Sequence, residues 1–326
     1  MMRSPHFLTI AVRKPNNRIL IKEQPWKGYA DRFPLFKKPF VRGVCTLIES
    51  MVNGVEALSY SANVAVVNDP TTKGTAEELS TFAVFSSIFF AFVMGMALFV
   101  AAPHYLTVLL GRAGLFESGI HNPLFHLIDG TIKVFFLVTY VFGIAFMKDV
   151  RKVFQYHGAE HKSIYAFESG EELTVANARR YSTLHPRCGT SFLLFLLIIS
   201  ILVFSVLFPF INMTSLSANP MLNHTFLVLI KIVLMLPVAG ISYEFIRMSA
   251  NKMSNPIFKA LIYPGLILQK LTTREPTDEQ LEIALASLKR VLVLEKSPTS
   301  ISDKELEFAS LAEIAKVTAN VAEFPG

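Results

Sequence analysis

Residues 191–211 read SFLLFLLIISILVFSVLFPFI, with no Asp, Glu, Lys or Arg among them. A bilayer hydrocarbon core of about 30 Å is crossed by roughly 20 apolar residues of helix, so this stretch predicts a membrane-spanning helix. Three further segments fit the same description. Residues 81–102 carry no charge. Residues 131–147 are shorter and hold Lys133 near one end, where a long ammonium side chain can snorkel. Residues 225–246 contain Lys231 near one end, Pro237 inside and Glu244 near the other end. Composition agrees: 52% of the 326 residues are hydrophobic and 17% charged, against about a quarter charged in soluble domains, and mean hydropathy is +0.44. The predicted fold class is an α-helical integral membrane protein with about four transmembrane helices.

Lysine and arginine collect on the cytoplasmic side of membrane proteins, and here they are unevenly placed. They are frequent before the first span (Arg13, Lys14, Lys37, Lys38, Arg42), between the second and third (Lys148, Arg151, Lys152, Arg179, Arg180) and beyond the fourth (Arg247, Lys252, Lys259, Lys270). The stretch 103–130 carries only Arg112, and 212–224 carries neither Lys nor Arg. These counts predict a multi-pass protein with both termini and the middle loop cytoplasmic. The formal charge of +6 flanks apolar spans instead of forming one patch, which argues against nucleic acid as a partner and for the lipid bilayer. Two cysteines, Cys45 and Cys188, build no disulfide framework. The first apolar patch, 7–12, is short and runs into Arg13 and Lys14, so no cleavable signal peptide is expected.

The remaining segments predict a small N-terminal β-hairpin (7–12 and 19–21, around Pro15-Asn16-Asn17) and an amphipathic interfacial helix over 41–58. Residues 255–271 are apolar but interrupted by Pro264-Gly265, and read as an interfacial segment. Soluble helices are expected over 277–295, opened by the capping box Thr277-Asp278-Glu279-Gln280, and over 302–322. The domain organisation predicted is an N-terminal interfacial region, 1–79; a four-helix transmembrane domain, 80–247, with a cytoplasmic loop at 148–190; an interfacial segment and cytoplasmic helix, 248–295; and a helical tail, 296–326. Asp129 and Lys133 are expected to form a local pair at the opposite membrane face. His104, His121, His126 and His224 show no ligand spacing.

The chemically loaded segment is His157-Gly158-Ala159-Glu160-His161. Residues four apart share a helix face, so His157 and His161 can reach one metal ion. The pattern is formally H-x-x-E-H, and Glu160 beside it can bind the metal or act as general base on a metal-bound water. Glu168 returns to the same face and Gly170 is placed to end the helix. Then comes His185-Pro186-Arg187-Cys188 just before the third span, where a helix N-terminus favours a thiolate. The predicted metal site is His157, His161, His185 and Cys188. Zinc suits this mixture of nitrogen and sulfur donors. Glu168, Arg187 and Glu244 are candidate supporting residues, with Arg247 the expected partner of Glu244. Lys162 and Arg187 suit headgroup contact or an anionic substrate. The bland alternative is that the histidines pair with carboxylates and lipid phosphates while Cys188 is merely packed.

The segments 154–162 (FQYHGAEHK) and 185–192 (HPRCGTSF), with Ala239-Gly240-Ile241-Ser242-Tyr243-Glu244 and Leu271-Thr272-Thr273-Arg274-Glu275-Pro276, resemble the hallmark segments of the bacterial YqhQ-like membrane proteins. The resemblance runs from the hairpin to about residue 292. It implies a bacterial inner-membrane protein in a family of unknown function, described as predicted metal-dependent enzymes, and it adds no substrate.

Two functions follow as expectations. One is a zinc-dependent hydrolase at the cytoplasmic membrane face, with Glu160 activating a metal-bound water. The alternative is a non-catalytic scaffold or assembly factor with a structural zinc site and a membrane or cytoplasmic protein partner. A transporter ranks last, because the spans place almost no polar residues at mid-depth.

Overall fold

The computed structural model describes residues 1–29, 33–67, 81–117, 119, 121–186, 188–210, 219–250, 252, 255–296, 304–314 and 316. The N-terminal hairpin forms as expected. Strands β2 (Phe7–Arg13) and β3 (Ile19–Pro25) pair antiparallel, with Ala11 opposite Ile21. Their turn is closed by Asn17 at φ 63° and by the Asn16 side chain accepting from the Arg18 N–H at 3.1 Å, the roles asparagine fills in turns. A short strand β1 (Met2–Arg3) extends one edge. The other edge is taken by β4 (Lys304–Phe308), which sets Leu306 opposite Ile21. This corrects the expected tail helix over 302–322: its first part is a strand, giving a four-stranded sheet in the order β1-β2-β3-β4. Phe308 packs with Ile19, Ile21 and Ile314, and that burial outweighs the weak helical spacing of the tail.

Helices cover both faces of the sheet. The long helix α1 (Val41–Val67) lays Val64, Ala57 and Tyr60 on Ile10, Val12 and Leu20. Its Ile48, Met51, Val52, Val55 and Leu58 remain exposed. On the opposite face lies α10 (Asp278–Lys296), whose start is the expected capping box: Thr277 N–H donates to Gln280 Oε1 at 2.8 Å and Gln280 N–H to Thr277 Oγ1 at 3.4 Å. Thr9 and Ser287 exchange buried hydrogen bonds across this contact. Beyond α10 lie α5 (Lys148–Glu168) and the short α6 (Val175–Arg179), through Ala159, Ala166 and Ala178 against Leu281, Leu285 and Leu288.

Four helical stretches are long and apolar enough to cross a membrane: Phe85–Arg112, Pro123–Ile144, Phe192–Phe210 and Met221–Ser249. The first comprises α2 (Thr81–Met96), a π-helical turn (Ala97–Ala101) and α3 (Ala102–Arg112), so it runs ten residues further than the sequence suggested. The second is α4 (Pro123–Ile144). It starts earlier than expected, at an Asn122 cap that accepts from Leu124 N–H at 2.9 Å. The others are α7 (Gly189–Leu207) and α8 (Pro220–Ala250), the latter accommodating Pro237. Their shared core is Val108, Phe125, Phe204, Phe208, Leu227 and Val238. Phe85, Phe89, Phe90 and Phe92 point outward, Phe85 at 68% exposure, an apolar surface far beyond what a soluble monomer presents to water. Residues 255–271 were expected to be broken at Pro264-Gly265. They form one helix, α9 (Pro256–Thr272), whose buried face carries Ile262, Gly265, Leu268 and Gln269 against the bundle.

Candidate metal centre

The centre lies where α5, the turn before α7 and the end of α9 meet. One helical turn separates His157 from His161, and their ring centroids are 4.5 Å apart. Each ring is oriented through Nδ1 by a backbone carbonyl. His157 Nδ1 donates to Thr272 O at 2.9 Å, and His161 Nδ1 donates to Thr183 O. A carbonyl only accepts, so each ring carries a proton on Nδ1, and in the neutral form each Nε2 offers a lone pair. His157 Nε2 lies 3.1 Å from Cys188 Sγ, and the three donor atoms all fall within 4.8 Å of one another. Zinc–donor bonds of about 2.0–2.3 Å at a tetrahedral angle put two donors about 3.3–3.6 Å apart, so the trio would close on one ion with side-chain shifts on the order of 1 Å. Histidine ligands held by carbonyls through the far nitrogen are the usual outer-shell arrangement of metal sites.

The electrostatics favour a thiolate. Burial pushes the Cys188 thiol up, but hydrogen bonds from His157 and His161 and their positive charge outweigh it and lower the pKa to about 5. Burial likewise disfavours the charged form of His157. The hydrogen bond to Cys188, its thiolate charge, the Thr272 carbonyl and Glu160 reverse this, raising the pKa to about 9. Without an ion, then, this is a thiolate–imidazolium pair.

The other sequence candidates are placed as follows. His185 is buried beside the trio and is not one of the three converging donors. Its ring Nε2 is 3.4 Å from Glu168 Oε2 and its face lies 4.6 Å from Tyr165. Glu168 thus meets His185. Glu160 is half-buried, with no hydrogen bond or ion pair among the described residues, and bears electrostatically on His157. Glu244 lies away from the cluster and is gripped by Arg42 of α1, through Nε at 2.6 Å and through NH2. This corrects the expected pairing with Arg247: a guanidinium from another helix provides the bidentate fork. Lys162 is buried, bonded to Glu275 at 2.9 Å and to the Arg179 carbonyl at 3.0 Å, so it contacts protein in place of a headgroup. Arg187 lies outside the described residues. Gly170, at φ 68°, ends α5 as expected.

Sequence reasoning missed the groups that hold the centre. The fully buried Gln269 takes the His185 N–H on Oε1 and donates Nε2 to the His185 carbonyl, both at 2.8 Å, fixing the turn that carries Cys188. The segment after α9 crosses α5 so closely that a Cβ on Gly158 would stand 2.2 Å from the Arg274 carbonyl. Arg274 N–H in turn bonds Phe154 O at 3.0 Å. Backbone carbonyls have no side-chain signature, and Gln269 sits in a mainly apolar helix; the resemblance of Leu271–Pro276 to a family segment singled out this stretch without giving it a role.

Comparison with known proteins agrees with the resemblance. Residues 38–294 match the family described as "Protein of unknown function (DUF1385)". The chain is 32% identical over 302 residues to "Uncharacterized protein YqhQ" of Bacillus subtilis (strain 168), covering 90% of each chain. No solved structure matches.

Proposed function

The chain belongs to the DUF1385 family, and from that premise we propose that it is a membrane-embedded zinc protein, a hydrolase acting at the cytoplasmic face of the bacterial inner membrane. The observation that carries this is the convergence of donor atoms of His157, His161 and Cys188, with Glu160, unpaired among the described residues, acting electrostatically on His157. Three protein donors leave a fourth tetrahedral position, as in catalytic zinc sites. Zinc bound there would supply Lewis acidity and a water of lowered pKa. The chain's own contribution is orientation and proton transfer: the Thr272 and Thr183 carbonyls hold the two rings, and Glu160 would serve as the proton acceptor. The uneven distribution of Lys and Arg supports cytoplasmic placement of this face. The exposed apolar stripe of α1, preceded by Lys37 and Lys38, supports an interfacial helix on an anionic leaflet.

Metal content of the purified chain tests the first half: about one zinc per chain, lost in His157→Ala. Glu160→Gln tests the second, with metal retained and function in a complementation assay abolished; retained complementation would leave only the metal. A structural role has its own support, because the donors come from α5 and from the turn before α7, two parts of the chain that an ion would tie together. In that case Glu160→Gln is silent and a protein partner is the next thing to seek.

A further inference from the structure

The apolar bundle contains a second constellation of ionisable groups. His104 of α3, Asp129 and Lys133 of α4, and His224 and Lys231 of α8 are all buried, Asp129 and Lys231 to 1% exposure. The expected Asp129–Lys133 pair forms at 2.9 Å, and Lys231 joins it from across the bundle, its Nζ 2.5 Å from the same carboxylate oxygen, Oδ2. The other oxygen, Oδ1, is buried with no hydrogen-bond partner among the described residues. One carboxylate does not neutralise two ammonium groups, and uncompensated charge at membrane depth is costly. The rings of Phe125, Phe204 and Phe208, 5.7–5.8 Å from Lys231 Nζ, relieve part of the excess. Loss of a single proton relieves all of it, leaving one carboxylate with one ammonium group.

A path for that proton is present. Lys231 Nζ lies 3.5 Å from His104 Nδ1, and His104 Nε2 lies 3.2 Å from His224 Nδ1. Imidazole accepts a proton on one nitrogen while releasing another from the second. Lys231 is about ten residues inside the span that begins at Met221, roughly 15 Å deep at 1.5 Å per residue, which corrects the expectation that it lies near one end of a span almost devoid of polar residues at mid-depth. His224 lies within the first turn of that span, at the bundle end remote from Cys188. Among the described residues the other charged or titratable groups nearby are Arg112, within electrostatic reach of His224, His126, stacked on Phe208, and Tyr105, whose ring packs edge-on to His104 at 5.6 Å and whose hydroxyl bonds Thr225 at 2.8 Å. From α7 come phenyl rings and no charged group.

We propose that Lys133, Asp129, Lys231, His104 and His224 form an intramembrane proton-binding site, loaded and emptied through the two histidines from the bundle end where His224 lies. In loading, a proton bonds to His224 Nε2, the Nδ1 proton of His224 passes to His104 Nε2, and the Nδ1 proton of His104 passes to the neutral Lys231 amine. Both imidazoles end neutral, Lys231 ends as ammonium, and emptying is the reverse. The ligand is the proton itself.

Infrared difference spectroscopy of the full chain in lipid nanodiscs tests this, with a pH jump from about pH 5 to about pH 9, which brackets the ordinary histidine value and approaches that of lysine. A carboxylate band that is lost in Asp129→Asn, or displaced in Asp129→Glu should the first variant not fold, is the reporter. The wild type shifts this band. Lys231→Met, which leaves a neutral Asp129–Lys133 pair, folds and loses the shift; His104→Phe and His224→Phe keep its amplitude and slow it. A folded wild type whose Asp129 band ignores pH, a shift retained in Lys231→Met, or wild-type kinetics in both histidine variants overturns the proposal.

Discussion

Cys188 and His157 have pKa values displaced toward each other, and the consequence for stability without metal can be worked out group by group. The thiol, near 9 in an unfolded chain and about 5 when folded, contributes stability that is complete above its unfolded value and lost as pH falls to about 5. The imidazole, 6.5 unfolded and about 9 folded, contributes stability that is complete below 6.5 and lost as pH rises to about 9. Between 6.5 and 9 the two slopes oppose and cancel. Between 5 and 6.5 only the cysteine slope remains. The pair's contribution to the stability of the metal-stripped protein is therefore expected to be level from pH 9 to 6.5 and to weaken toward pH 5, so that on thermal melting the wild type loses more stability across that interval than Cys188→Ser. Gln269 supplies a second prediction at this scale. Truncation to Ala removes the acceptor of the buried His185 N–H, a loss of about 1–3 kcal/mol, and leaves the His185 carbonyl to the Cys188 N–H. Thermal melting falls and zinc binds more weakly, although no ligand has been changed.

Helix α5 brings both parts of the candidate centre together. One face carries His157 and His161 toward the turn before α7, and another carries Ala159 and Ala166 into α10. Gly158 lies under the Arg274 carbonyl. Gly→Ala inside a helix ordinarily stabilises by about 1 kcal/mol. Here the added carbon meets backbone, and overpacking of this kind costs about 1–3 kcal/mol. Gly158→Ala is expected to lower the melting temperature and, by lifting the strap from α5, to remove the Thr272 carbonyl from His157 and weaken zinc binding. A variant more stable than wild type would show that the strap does not press on α5. The i, i+4 spacing of the histidines made their shared face legible; the strap, held by main-chain bonds to α5, left no periodicity to read.

The two chain ends meet in one sheet. Strand β4 covers the β3 edge and brings Phe308 and Ile314 over Ile19 and Ile21. A chain ending at Lys296 would present an unpaired edge and an uncovered apolar face, the condition that promotes association of sheet edges. Size-exclusion chromatography in detergent is expected to show aggregation of the truncated chain, with lower thermal stability. Equal monodispersity would mean that the strand is dispensable. The sheet and α10 in turn support α5, so this truncation also reports on how far the metal centre depends on the extramembrane layer.

Local patterns in the sequence determined the four apolar helices, the hairpin, the α10 capping box and the shared helix face of His157 and His161, because each depends on residues near one another in the chain. Tertiary structure alone decided that β4 closes the sheet, that Arg42 takes Glu244, that Gln269 holds the His185 turn, and that Lys231 shares Asp129 with Lys133. Each of those contacts joins residues far apart in sequence. Several use backbone carbonyls and amides, which every residue carries and no sequence pattern distinguishes.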